Sequence, residues 1–241
     1  MVFGEVKSGK SVVRRIEELP TADGDRPRKA AAIADSGELT GDAWAAAEQP
    51  KQADALGDAY EDFPRDEETP ESPLTAARVH EIALACKGFG NAAFKAGDFA
   101  TAVAKYRKGL RYLDEEPSLE GEGAEGVTQD ALDALWFALR SNGALMYIKL
   151  EEWAEAAESA RVALEGRPCP KVADADRAKA LYRRGLALAR LRDEDAAVAA
   201  LERARELAPA DAAVTRELAA VKKRAADRDA REKAAYKKFF S

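Results

Sequence analysis

A spacing of small residues recurs three times in this chain and restricts its fold more than any other feature. Each copy has a small residue followed twelve positions later by an alanine: Gly90 and Ala102, Ala144 and Ala156, Gly185 and Ala197. In the first copy Gly97-Asp98 lies between the two small residues, where glycine permits a tight bend and aspartate caps the next helix. We therefore predict three pairs of antiparallel helices that approach closely at their small residues.

The first copy, residues 86–110, resembles a tetratricopeptide repeat (TPR) in the offsets of its small and bulky residues. Its aromatic side chains are expected to fill the space between and beneath the two helices: Phe89, Phe94, Phe99 and Tyr106. The third copy departs from the pattern because an acid, Glu194, stands where the other two have Phe99 and Trp153. Three repeats are about the minimum that buries a continuous core. The resemblance implies an all-α solenoid of three helix pairs, closed by a long C-terminal capping helix.

The repeats are spaced by 54 and 41 residues instead of the usual ~34. We place the surplus in two loops, a Gly/Glu-rich one over residues 114–129 and a Pro-containing one over residues 166–176.

Composition excludes several classes of function. The chain has 241 residues with a net charge of -6, which argues against nucleic acid as a partner. No apolar run approaches the ~18 residues of a membrane span. Cys86 and Cys169 lack metal-ligand spacing, so no metal site is expected from them. No cofactor is expected either. The cytoplasm is the expected compartment, with the nucleus as an additional one.

Residues 1–40 are expected to form strand, helix and strand, with the second strand over residues 31–39, and they resemble the C-terminal end of a cyclophilin domain. Three stretches carry the resemblance: VFGEV, SGKSVV and IADSGEL. In that family the proline-pocket residues lie upstream of the match, and Met1 stands at its border. No catalytic residue is therefore assigned, and this part is interpreted as the remnant of a cyclophilin domain, from either a deliberate fragment or a truncated gene.

Residues 41–72 are predicted to be an acidic linker in which three prolines interrupt any long helix. Tyr60 and Phe63 are expected to hold it against the repeats, with an independent motif as the alternative. The acidic run itself is expected to be solvated, with occupation of a basic groove as the alternative. The repeats should cover residues 73–211, with Ser72-Pro73 as the start of their first helix. A basic helix should cover residues 212–241, either as a solvated extension or as a site for calmodulin or another acidic partner.

Five polar residues on the first helices of the three repeats resemble a carboxylate clamp, the pattern with which some repeat domains bind acidic C-terminal tails. They are Lys87, Asn91, Asn142, Lys179 and Arg183. Any one of them alone would be interpreted as a solvated side chain. Together they suit a peptide that ends in Asp, because such a peptide presents a main-chain and a side-chain carboxylate close together.

The resemblance implies distinct roles for these side chains. Lys87, Asn91 and Asn142 would bind the main-chain carboxylate, Lys179 the side chain of the last Asp, and Arg183 an upstream Glu or a backbone carbonyl. Lys179 and Arg183 are four residues apart on one helix, so they should repel each other until an anion joins them.

The combination of cyclophilin end, acidic linker, clamp-bearing repeats and basic last helix is similar to the forty-kilodalton cyclophilins. These are D-type, TPR-containing peptidyl-prolyl isomerases. The resemblance implies a co-chaperone that binds the Glu-Glu-Val-Asp tail of the ninety-kilodalton heat-shock protein, with the seventy-kilodalton one as a second candidate. Two alternatives stay open at this point: an active isomerase encoded by a longer gene, and a holdase that binds unfolded clients.

Overall fold

A computed structural model describes residues 4, 6, 9–47, 51–69, 73–120, 123–124 and 126–239. The chain divides into two compact units, Met1–Leu74 and Thr75–Ser241. Each is described by itself below.

The first unit contains three short helices in its described part: α1 (Lys10–Glu17), α2 (Asp42–Ala47) and α3 (Pro64–Glu67). Helix α1 confirms the predicted helix. The strand expected over residues 31–39 is wrong, because this segment is exposed and has no neighbouring strand among the described residues with which to pair. Most of the VFGEV stretch lies outside the described residues.

The second unit is built from seven further helices among the described residues. In chain order they are α4 (Ala76–Lys95), α5 (Phe99–Leu113), α6 (Gln129–Lys149), α7 (Trp153–Glu165), α8 (Asp174–Arg190), α9 (Glu194–Leu207) and α10 (Ala212–Phe239). Helices α4/α5, α6/α7 and α8/α9 form the three pairs, each pair packs on the next, and α10 packs on α9. This arrangement confirms the predicted all-α solenoid with a capping helix.

Short polar side chains define where these helices begin. Thr75 caps α4 by accepting a hydrogen bond from the backbone N–H of Arg78 at 3.3 Å, so the helix starts later than the predicted Ser72-Pro73; Ser72 itself lies outside the described residues. Gly97 has φ = 81° in the turn before α5, and Asp98 accepts from the N–H of Thr101 at 2.9 Å. The turn predicted at Gly97-Asp98 is therefore confirmed.

The repeated small residues let the helices of a pair touch. A Cβ atom added at Gly185 would lie 2.6 Å from Cγ of Leu201, and one added at Gly90 would overlap the ring of Tyr106. Tyr106 is 2% exposed, whereas Phe94 faces solvent. The first half of α10 covers the end of the core with buried side chains: Val214, Leu218 and Val221. None of the helices in the described part of the chain is long and apolar enough to cross a membrane.

Glu194, the acid that departs from the repeat pattern in the third repeat, is paired with an arginine of the capping helix α10. Glu194 is buried, and Arg228 of α10 donates a hydrogen bond from Nη1 to its Oε2 at 2.9 Å. In the second repeat the same position holds Trp153, and the guanidinium of Arg190 lies 5.5 Å from the centre of its ring. In both repeats an arginine from a following helix thus contacts the residue at this position. The contact is an ion pair with Glu194 in the third repeat and a cation–π interaction with Trp153 in the second.

Candidate functional site

The five residues predicted to form the clamp lie on the first helix of each pair. Lys87 and Asn91 are on α4, Asn142 is on α6, and Lys179 and Arg183 are on α8. These three helices also contact one another in succession, α4 with α6 and α6 with α8. Four of the side chains are half-buried and Lys179 is exposed. All five therefore stand on neighbouring helices of the solenoid.

Three of the five line one cavity of about 410 Å³ between α6 and α8. They are Asn142, Lys179 and Arg183. Phe137 and Ser141 of α6 form part of the same wall, and the segment before α8 adds another part. The cavity lining therefore combines apolar side chains with an amide and several charged groups.

Arg183 is held across this cavity by α6. Its Nη1 donates to the backbone carbonyl and to the hydroxyl of Ser141, both at 2.7 Å. Burial lowers the pKa of Arg183, and the nearby Tyr106 and Asp176 oppose that shift. A guanidinium keeps its charge in such surroundings, so the cavity has a fixed positive charge.

Asn91 is connected to this charge through Tyr106. The Tyr106 hydroxyl donates to Oδ1 of Asn91 at 2.8 Å. Burial raises the pKa of Tyr106, and the charge of Arg183 opposes that shift. Because the amide oxygen of Asn91 is engaged, its NH2 group is the part left to bind a ligand. The sequence did not single out Tyr106 for this role, since the repeat pattern needs only a bulky aromatic residue there.

Lys179 already has an anionic partner on its own helix. Its Nζ lies 2.9 Å from Oδ1 of Asp176, one turn earlier. Each of the two cations thus has a partner that the sequence analysis did not anticipate, Asp176 for Lys179 and Ser141 for Arg183. The repulsion between Lys179 and Arg183 stays a prediction.

The inserted segment between the second and third repeats contributes to the cavity as well. Lys171, Val172 and Ala173 line it, and Nζ of Lys171 lies 2.8 Å from Oδ2 of Asp130. The sequence analysis treated this insertion only as a tolerated loop. Its length gave no sign that a third cation, Lys171, would face the site.

The two predicted clamp residues of α4 are not among the residues that line this cavity. Lys87 and Asn91 are both half-buried and lie one turn apart on that helix. Within the described part of the chain, no group of three metal-ligating side chains is close enough to hold a metal ion.

No protein-family model matches the chain. Over its full length it is 36% identical to a peptidyl-prolyl cis-trans isomerase D of Mycosarcoma maydis, and it covers 63% of that relative. A relative of the same name from Cryptococcus neoformans is also 36% identical and is covered over 64% of its length. The chain thus spans a little under two thirds of these relatives.

Two solved structures resemble the repeats. The C-terminal TPR-containing domain of a Plasmodium falciparum FK506-binding protein superposes with a TM-score of 0.50 at 20% identity, over 69% of this chain and 98% of that one. The first TPR of Spaghetti (RPAP3), bound to the HSP90 peptide SRMEEVD, has a TM-score of 0.47 at 26% identity, over 61% and 95% of the two chains.

The helix pairs, their small-residue contacts and the first of these superpositions define the fold as an all-α tetratricopeptide-repeat solenoid. Over its whole length the chain is similar to proteins named peptidyl-prolyl cis-trans isomerase D, in agreement with the resemblance found in its sequence.

Proposed function

We propose that the repeat unit binds the acidic C-terminus of a partner protein, and that the protein is a co-chaperone module for the Glu-Glu-Val-Asp tail of the ninety-kilodalton heat-shock protein. The tail of the seventy-kilodalton protein is the second candidate. One observation carries the proposal: Asn142, Lys179 and Arg183, predicted as carboxylate ligands, line the same cavity.

The donors suit a terminal Asp. Asn91 offers its NH2 group, Asn142 another amide and Lys87 a positive charge, so these three would bind the main-chain carboxylate. Lys179 would bind the side-chain carboxylate. Arg183 uses Nη1 for Ser141, which leaves Nη2 and Nε to an upstream Glu or a peptide carbonyl. Hydrogen bonds to charged groups contribute about 1.5–3 kcal/mol each, so a few of them support micromolar binding.

A groove for apolar client segments is the second candidate, because a neighbouring cavity of about 350 Å³ is largely apolar. Leu145, Ile148 and Leu186 line it, and it shares Lys179 and Arg183 with the first cavity. Binding by charge should weaken with salt and with amidation of the peptide C-terminus. Binding of apolar segments should tolerate both.

The relatives are named as peptidyl-prolyl isomerases, and we propose this activity only for a protein as long as those relatives. No step of it is assigned to the residues described here.

Calorimetric titration with the peptide Met-Glu-Glu-Val-Asp tests the proposal. Lys179→Ala should weaken binding by about 1–2 kcal/mol, or roughly five- to thirtyfold, because Lys179 is largely exposed and gives up its Asp176 partner on binding. Lys95→Ala is the control, since Lys95 is exposed at the end of α4 and outside the cavity. Equal affinities of the parent and Lys179→Ala, or unchanged binding of the amidated peptide, would contradict the clamp.

A further inference from the structure

The cavity that holds Asn142, Lys179 and Arg183 also has a carboxylate of its own. Asp176 lines it, and Oδ1 of Asp176 lies 2.9 Å from Nζ of Lys179. Both side chains are more than half exposed, so this ion pair is open to an arriving ligand. The negative charge of Asp176 also acts on the guanidinium of Arg183.

Asp176 differs from the other acids near the site. Lys171 lines the same cavity and has an acidic partner as well, but that partner, Asp130, is not among the lining residues. Asp174, two residues before Asp176 in the first turn of α8, is exposed and also lies outside the lining. Asp176 is thus the acidic side chain among the described residues that form the cavity wall.

A carboxylate placed at Lys179 would meet two obstacles. It would have to share or replace the existing ion pair, and it would approach the charge of Asp176 at short range. Exposed ion pairs are worth about 0.2–1 kcal/mol, and like charges at this distance cost a similar amount. The combined effect on the affinity of a peptide is therefore several-fold, which is measurable and still smaller than the contribution of the whole set of donors.

We propose that Asp176 is an intramolecular competitor that occupies Lys179 in the empty site and limits the affinity for acidic C-termini. The inference rests on the proposed function, because it concerns the same cavity and the same class of peptide. Asp176 acts as a stand-in for the side chain of the ligand's last Asp. Its effect should accordingly be greatest for peptides whose last residue is acidic.

Asp176→Asn should tighten binding of Met-Glu-Glu-Val-Asp about fivefold in calorimetric titration. Asp174→Asn is the matched control, since it makes the same change of net charge in the same turn of the same helix. It should alter affinity less than twofold. With the peptide Met-Glu-Glu-Val-Asn, which lacks the carboxylate destined for Lys179, the gain from Asp176→Asn should fall to about twofold or less.

The outcomes separate this inference from the proposed function. The proposal for Asp176 is refuted, while the proposed function stands, if the parent binds the peptide but Asp176→Asn does not bind it more tightly. The same conclusion follows if Asp174→Asn increases the affinity as much as Asp176→Asn does. If neither the parent nor Asp176→Asn binds, both are refuted. Circular dichroism and thermal unfolding of the two Asn variants check that the first turn of α8 is kept in each.

Discussion

Removing the buried hydroxyl of Tyr106 tests whether its hydrogen bond to Asn91 orients that side chain for the proposed peptide binding. Tyr106→Phe deletes the 2.8 Å hydrogen bond to Asn91 but keeps the ring that packs over Gly90. Without that bond the Asn91 amide is free to turn its oxygen towards the ligand carboxylate, where it repels instead of donates. A neutral hydrogen bond contributes about 0.5–1.5 kcal/mol, so we expect peptide affinity to fall roughly two- to tenfold.

A double-mutant cycle with Asn91→Ala isolates this effect. If Tyr106 acts through Asn91, Tyr106→Phe should weaken binding in the parent and change it little in the Asn91→Ala background. Tyr147→Phe is the control, because Tyr147 is a half-buried tyrosine in a second cavity, which Tyr106 also lines but whose lining includes none of the five predicted clamp residues. The reasoning is refuted if Tyr106→Phe costs the same affinity in both backgrounds, since the hydroxyl would then act through packing or stability alone.

Two further predictions concern stability. Gly90→Ala should lower the free energy of unfolding by about 1–3 kcal/mol, because the added methyl group overlaps with the ring of Tyr106. Gly88→Ala is the control: this position has open space around it, so the free energy of unfolding should stay unchanged or rise by up to about 1 kcal/mol. Equal urea midpoints of the two variants would contradict the close approach of Gly90 to Tyr106. Burial raises the pKa of Tyr106, Tyr147 and Tyr182 in the folded protein. Their contribution to the free energy of unfolding is therefore complete below pH ~10 and is lost as the pH rises through their folded pKa. A free energy of unfolding that stays constant in urea titrations from pH 9 to about 11.5 would refute this.

The fold follows closely from the sequence because the constraint is steric and local. Glycine or alanine at the helix crossings is needed wherever a ring or a leucine of the paired helix fills the gap, as Tyr106 does at Gly90 and Leu201 at Gly185. Such a spacing can be recognised without knowing the partner. The strand expected over residues 31–39 was wrong for the opposite reason, because a strand requires a neighbour that the residues themselves do not specify.

The candidate site was predictable in its residue types and only in part in its contacts. Helical spacing placed Lys179 and Arg183 on one face of α8, but it gave no sign that Asp176 and Ser141 would engage them. Those partners depend on side-chain directions and on the distance between α6 and α8. The hydrogen bond from Tyr106 to Asn91 was not predicted, because the repeat pattern requires only an aromatic ring at this position and does not specify a hydroxyl.

The ion pair between Glu194 and Arg228 bears on how long this array of repeats is able to grow. A fourth repeat placed after α9 would put its own first helix where α10 now lies, and an ordinary apolar residue at the position of Arg228 would leave the buried carboxylate of Glu194 without a counterion. Such an orphaned acceptor costs on the order of 1–3 kcal/mol. Lengthening the protein at this end therefore requires either a change at Glu194 or an arginine on the new helix, as Arg190 of α8 provides at the corresponding position beside Trp153.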